Sequence, residues 1–284
     1  MKNGLTLSLI FEAQSANYGE GFGNISTLKR ISRQGGDSYT YISRQALRYN
    51  IVEQLGWNYT PVEAMGSGEK KVIQYKPDAT ILDYPEIDLF GYMKTDKGSG
   101  ALTRSAVARL SNAIALEPYH SDLDFLTNMG LAKRIDAENS IAQSEIHQSF
   151  YAYTLTVDLD RVGVDREVHM ANEERTKRVK QLLQGVQFLY RDIKGRRENL
   201  APIFAIGGLF KRKNPFFENR LKLDREGLVI KMIKDAQESI GEKTWVGYVP
   251  GSFKNDEAVK GELDPTSIKR MFDQLCLEVE AVYL

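Results

Sequence analysis

An α+β fold, with core elements in the order strand, helix, strand, strand, helix, strand, is predicted for this chain. Three observations predict it. Leu5, Leu7, Leu9 and Phe11 alternate with Thr6, Ser8 and Ile10, and Tyr151, Tyr153, Leu155, Val157 and Leu159 repeat that period of two, which reads as strand. Val179, Leu182, Leu183, Val186 and Tyr190 form an apolar stripe at helical spacing. Ile203 to Phe210 is apolar on both faces, the pattern of a buried strand.

In chain order, the first strand leads into a glycine-rich polar loop from Gln14 to about Tyr41. Ser43 caps a helix running to about Leu55, where Gly56 stops it. Trp57 to Pro85 is irregular, with Gly66, Gly68, Pro77 and Pro85 as breakers. Ile87 to Met93 reads as a second strand and Lys94 to Gly100 as a charged loop. Arg104 to Leu116 is a third, long strand. Glu117 to Gln148 reads as an insertion, with mixed periodicity and a surplus of Asp and Glu. After the Tyr151 strand, Asn172 caps a helix with Glu173 and Glu174 in its first turn, where negative charge suits the dipole. Trp245 to Val249 is a further short strand. A last helix begins at Asp264-Pro265, with Ile268, Met271, Phe272, Leu275 and Val279 at spacings of three and four. The order is the split βαβ, ferredoxin-like order shared by RRM domains. It is expected as one domain over 1–284, interrupted by an irregular segment at 57–85 and a thumb-like insertion at 117–148, with a C-terminal helical extension.

The chain has 38 basic and 38 acidic residues among 284, a formal net charge of zero. A wholly basic nucleic-acid binder is excluded; a localised basic groove is not. The single cysteine, Cys276, rules out an intrachain disulfide and sits between Leu275 and Leu277, which reads as core packing in a reducing compartment. The longest uncharged apolar run, Ala201 to Phe210, is well short of the ~20 residues that span a bilayer. Lys2 alone precedes an early Glu12, which argues against a signal peptide. The cytoplasm is the expected location, with no membrane contact.

Three features carry candidate chemistry. The first is Asn17-Tyr18-Gly19-Glu20-Gly21-Phe22-Gly23-Asn24, directly after the first strand. Alternate glycines let backbone approach a ligand, and successive N–H groups can form an anion nest. No Gly-Lys-Ser/Thr follows and no helix opens at the third glycine, so neither a P-loop nor a dinucleotide fingerprint is present. A tight turn and a phosphate cradle both remain open. The second is Lys29, Arg30 and Arg33, followed by Ser43, Arg44, Gln45 and Arg48 on one side of the first helical turns. A solvated helix face and a phosphate clamp are the two readings. The third is Arg191, Lys194, Arg196 and Arg197 with Lys211, Arg212 and Lys213, read as a solubilising rim ahead of a second polyanion line. His120, His147 and His169 lack metal-ligand spacing, no nucleophile elbow occurs, and no metal or cofactor is expected.

Taken in order, Asn17 to Asn24 with Leu28-Lys29-Arg30, Tyr41 to Arg48, Leu89 to Met93 with Arg104 to Val107, and Ile203 to Gly208 carry a resemblance. The chain resembles the repeated backbone subunit of type I-B CRISPR Cascade surveillance complexes, the DevR-like branch of the RAMP superfamily. The resemblance implies an RRM-like palm with an inserted thumb, and copies stacked head to tail along one CRISPR RNA. It implies contacts to phosphates rather than bases, leaving the guide free to pair with a target DNA strand, and further Cascade subunits as partners. Carried over, Asn17, Tyr18, Gly21, Gly23, Asn24, Lys29, Arg30, Ser43, Arg44, Gln45 and Arg48 would line the RNA, and Met129 and Leu131 would be thumb wedges that help kink it. A non-catalytic scaffold is the expectation. One alternative is an RNA-cleaving RAMP subunit using Asp37 of Gln34-Gly35-Gly36-Asp37; Asp37 also suits an Asx-type turn. Another is a nucleotide-binding enzyme using the Gly19–Gly23 loop.

Overall fold

A computed structural model describes residues 3–284 apart from 15, 20, 22, 34, 67–70 and 97–99. Glu20 and Phe22 of the glycine loop, Gln34, Gly68 and Lys2 therefore lie outside the described residues.

The chain opens with β1 (Gly4–Ala13), then β2 (Ile25–Ser26), β3 (Arg30–Ser32), β4 (Ser38–Ile42) and α1 (Arg44–Gln54). Next come β5 (Val62–Met65), β6 (Val72–Tyr75), α2 (Pro85–Phe90), β7 (Tyr92–Asp96), β8 (Gly100–Arg104), β9 (Ala108–Leu110) and β10 (Ala113–Ala115). The insertion holds β11 (Asp122–Thr127), α3 (Met129–Ala132) and β12 (Ile141–Ile146). Then follow β13 (Ser149–Asp158), β14 (Val164–Asp165), β15 (Val168–His169), α4 (Asn172–Gln187), β16 (Tyr190–Ile193), β17 (Arg196–Asn199) and β18 (Phe204–Phe210). The chain closes with α5 (Ile230–Ile240), β19 (Trp245–Tyr248), α6 (Asp256–Leu263) and α7 (Ile268–Tyr283).

Among the described residues the main sheet has eight strands in the order β19-β18-β1-β13-β10-β4-β3, with β9 also on β13. Its pairings are antiparallel throughout. β1 sits near its centre. Leu5, Leu7, Leu9 and Phe11 point into a core shared with α1, α4 and α7. The other face of β1 is also covered: Ile10 joins Phe204, Ile206, Phe217, Ile233 and Val259 in a second core under α5 and α6. Thr6 and Ser8, placed by alternation on a polar face, are consequently buried and matched by partners. Thr6 Oγ1 donates to the Asn214 carbonyl at 2.9 Å, and the Ser8 hydroxyl meets that of Thr154 at 2.6 Å. Gly207 makes the β1–β18 contact possible, since a Cβ there would overlap the Thr6 carbonyl oxygen.

The first strand, the Ser43-capped helix, the Tyr151 strand and the Phe204 and Trp245 strands stand as expected. Several other elements differ. The Gln14–Tyr41 loop contains the β3–β4 hairpin, and the irregular 57–85 segment contains the β5–β6 hairpin. Ile87 to Phe90 is helical, in α2, rather than strand: Pro85 starts the helix, Glu86 and Asp88 occupy its first turn, and strand β7 begins only at Tyr92. Lys94 to Asp96 belongs to β7, and β8 starts at Gly100. The Arg104–Leu116 strand is broken into β9 and β10 around Ser111-Asn112. The N-cap of α4 is Ala171, not Asn172, and makes no side-chain cap bond. Asp264 ends α6 in the left-handed region, and Ser267 caps α7, accepting from the Arg270 N–H. Cys276 packs at the edge of the core, and burial pushes its thiol up. Among the described residues, no helix is long and apolar enough to cross a membrane.

An ionic knot fixes α2 against the core. Asp88 is 0% exposed and accepts from Arg104 at 2.7 Å, from Arg178 at 3.0 Å and from the Gly163 N–H at 3.0 Å. The sequence marks Arg104 only as part of the Arg104 to Val107 segment and does not mark Arg178, because nothing local identifies a buried cation.

Candidate nucleic-acid interface

The glycine loop is held by the insertion. Tyr18 bridges Leu28, the Gly19 N–H donates to the Thr27 carbonyl at 2.7 Å, and the Lys29 N–H donates to the Asn17 carbonyl at 2.7 Å. β2 then pairs in parallel with β12, extending the β11–β12 hairpin to a three-stranded sheet. The Gln143 N–H donates to the Asn24 carbonyl at 3.0 Å. Glu145 on β12 accepts from the Leu28 N–H at 2.8 Å, and its carbonyl accepts from the Tyr18 hydroxyl at 3.2 Å. Gly23 takes φ +58°, a conformation glycine adopts without penalty; Gly21 is exposed. A run of free loop amides, as an anion nest requires, is interrupted at Gly19.

The start of α1 is tied to that loop. The Asn17 side chain accepts from the Ser43 N–H at 2.7 Å, and Ser43 Oγ accepts from the Ala46 N–H at 3.3 Å. The Arg44 N–H donates to Asn112 Oδ1 at 2.9 Å. The interruption between β9 and β10 thus presents Asn112 to the helix. The Arg44 and Gln45 side chains are exposed. Clefts lie on either side of Arg44: one of about 500 Å3 with Arg33, Asn112, Phe217 and Lys222, and one of about 420 Å3 with Gln45, Arg48 and Arg109.

The expected basic set divides in two. Arg48 has partners of its own while lining the cleft with Arg44 and Gln45: it donates to Tyr75 Oη at 2.9 Å and Glu86 at 3.1 Å, over the Phe90 ring. Arg30 meets Glu145 at 3.4 Å and lies over the Tyr119 ring. By contrast, Lys29, Arg33 and Arg44 are exposed and, among the described residues, in no ion pair; Arg33 rests on the Tyr39 ring. Arg44, Gln45 and Arg48 thus line one cleft, Arg48 already bonded to Glu86 and Tyr75 and Arg44 in no ion pair among the described residues.

Asp37 lies in the β3–β4 turn, where its carbonyl accepts from the Arg33 N–H at 3.0 Å, and the whole of β4 separates it from α1. His147 is buried with Nδ1 2.7 Å from Thr40 Oγ1, and burial pulls its pKa down. Among the described residues, no three His, Cys, Asp or Glu side chains are grouped to hold a metal.

Met129 and Leu131 lie on α3, at the tip of the β11–β12 hairpin, 49% and 60% exposed. The tip carries more apolar surface than those two: Phe125, Leu126 and Ile141 are exposed, and Ile135 is 79% exposed. Ile135 is missed by spacing because it follows the short helix rather than sharing its face. The third basic cluster is mostly neutralised. Arg191 and Arg196 bond Glu198, and Arg197 bonds Asp192.

A family model described as CRISPR-associated negative auto-regulator DevR/Csa2 matches residues 5–216. No curated protein matches the sequence significantly. A chain of a CRISPR RNA-guided surveillance complex described as pre-nicking has a similar structure, with TM-score 0.65 and 13% identity over 97% of this chain and 100% of its own. A chain of another CRISPR RNA-guided surveillance complex gives 0.60 and 15%, over 99% and 100%. At these identities the likeness is one of fold.

Proposed function

Since the chain belongs to the DevR/Csa2 family of CRISPR-associated proteins, we propose that it is a non-catalytic backbone subunit of a Cascade-type surveillance complex of type I-B. In that role it binds CRISPR RNA through phosphates and stacks with further copies along it. It presents the guide to a target DNA strand beside other Cascade subunits. The observation that carries this reading is the physical continuity of three parts. Asn17 joins the glycine loop to the start of α1, and β2 joins the same loop to the insertion. Exposed Arg33 and Arg44 line one cleft, exposed Lys29 belongs to the loop that Asn17 ties to α1, and the insertion joined to that loop carries an exposed apolar tip. The antiparallel order β18-β1-β13-β9, with α1 and α4 in one core, supports an RRM-like palm. Zero net charge suits a subunit with a basic groove and acidic docking surface.

The test is binding of single-stranded RNA by the full chain across a salt series. Arg44→Ala should weaken binding equally for unrelated sequences and lower the slope of log affinity on log salt by about 0.7, one lost phosphate contact on a single strand. Arg48→Ala should leave that slope unchanged and lower thermal stability instead. A sequence-dependent loss would overturn the phosphate assignment. Cleavage of the RNA that disappears in Asp37→Ala would overturn the non-catalytic reading.

A further inference from the structure

Hairpin β16–β17 is closed by two residues, Lys194 and Gly195, with φ +49° and +76°. A two-residue turn with both φ values positive is best served by Asn-Gly. Lysine in the left-handed region crowds its own Cβ against the backbone, and such strain recurs where a side chain has a ligand to meet. The Lys194 ammonium lies 4.6 Å from the centre of the Tyr18 ring and 3.4 Å from Ser26 Oγ. Tyr18 opens the glycine loop, and the Lys29 side chain runs beside the next residue, where a Cβ on Gly19 would stand 3.6 Å from Lys29 Cγ. Two lysines from distant segments thus meet at the Tyr18-Gly19 step. The hairpin's arginines are bound to Glu198 and Asp192, whereas Lys194 has no acidic partner among the described residues.

We propose that Lys194 is a phosphate-binding residue for the strand held by the glycine loop, making the hairpin tip part of that binding surface. The inference rests on the RNA-binding reading above. Tyr18 supplies a cation–π shelf that positions the ammonium without neutralising it. Lys194→Asn separates charge from fold, because it installs the favoured Asn-Gly turn. The full-chain protein is titrated into a mixed-sequence single-stranded RNA by fluorescence anisotropy at several KCl concentrations. Counterion release predicts that Lys194→Asn weakens binding roughly eightfold at about 50 mM salt and roughly threefold at about 200 mM, with a slope lower by about 0.7. Melting temperature should stay level or rise, Lys194→Arg should bind like wild type, and Arg197→Ala on the same hairpin should do so too. Unchanged affinity and slope in Lys194→Asn, with Arg44→Ala still impaired, overturns this inference and leaves the RNA-binding reading intact. Failure of the wild-type chain to bind RNA overturns both.

Discussion

Asp88 and Arg48 show how differently a charged side chain behaves once its neighbours are known. The Asp88 carboxylate lies between Arg104 and Arg178, all three buried. Removing one member leaves uncompensated charge in a medium that cannot solvate it. Asp88→Ala should therefore cost about 3–5 kcal/mol of stability, measured by urea denaturation, and should do so at any RNA concentration. Arg48 presents the opposite lesson. Its spacing to Arg44 was legible in the sequence; its partner was not, because Glu86 is 38 residues away and reaches it only through the packing of α2 beside α1. Helical spacing places side chains on a face of one helix and is silent about what packs there.

Among elements, the capped and periodic ones were readable. α1, β1 and β13 repeat a pattern long enough to outvote local noise, and Ser43 caps as its residue type suggests. α2 was not read because Ile87, Leu89 and Phe90 are equally at home in a buried strand. The signal that decides it, Pro85 at the helix start and Gly91 at φ +75° after its end, was present in the sequence. The broken β9–β10 strand was read as continuous, and the break is where Asn112 faces Arg44, so regularity gave way at the candidate interface. The insertion was legible as an interruption, though not its sheet, since β2 joins it from more than a hundred residues upstream. That sheet makes the tip a side-chain question alone. Met129→Ser with Leu131→Ser should stay within about 0.5 kcal/mol of wild-type stability, because both side chains are exposed. The same variant should shift sedimentation on RNA toward smaller assemblies; unchanged sedimentation would remove the tip from stacking.

At the scale of the whole molecule, buried phenols set an alkaline limit. Burial and a hydrogen bond to Glu86 push Tyr75 up to about 12 from 10.0, and burial raises Tyr151, Tyr153 and Tyr283 as well. The native state then holds these protons more tightly than the unfolded chain. Their stabilisation is complete below pH 10 and drains away as pH rises through the folded values. Denaturation curves should show stability falling above about pH 10, less steeply in Tyr75→Phe. The central sheet has a further consequence. Ser8 on β1 bonds Thr154 across 146 residues, and Thr6 bonds Asn214 across 208. On the ribosome, at about 5–20 residues per second, Leu5, Leu7, Leu9 and Phe11 wait roughly seven to thirty seconds for their first neighbouring strand. The nascent chain thus carries β1 without a sheet partner for about half of its synthesis, and α1, made soon after it, is the element of the same core that can cover its apolar side chains in the meantime.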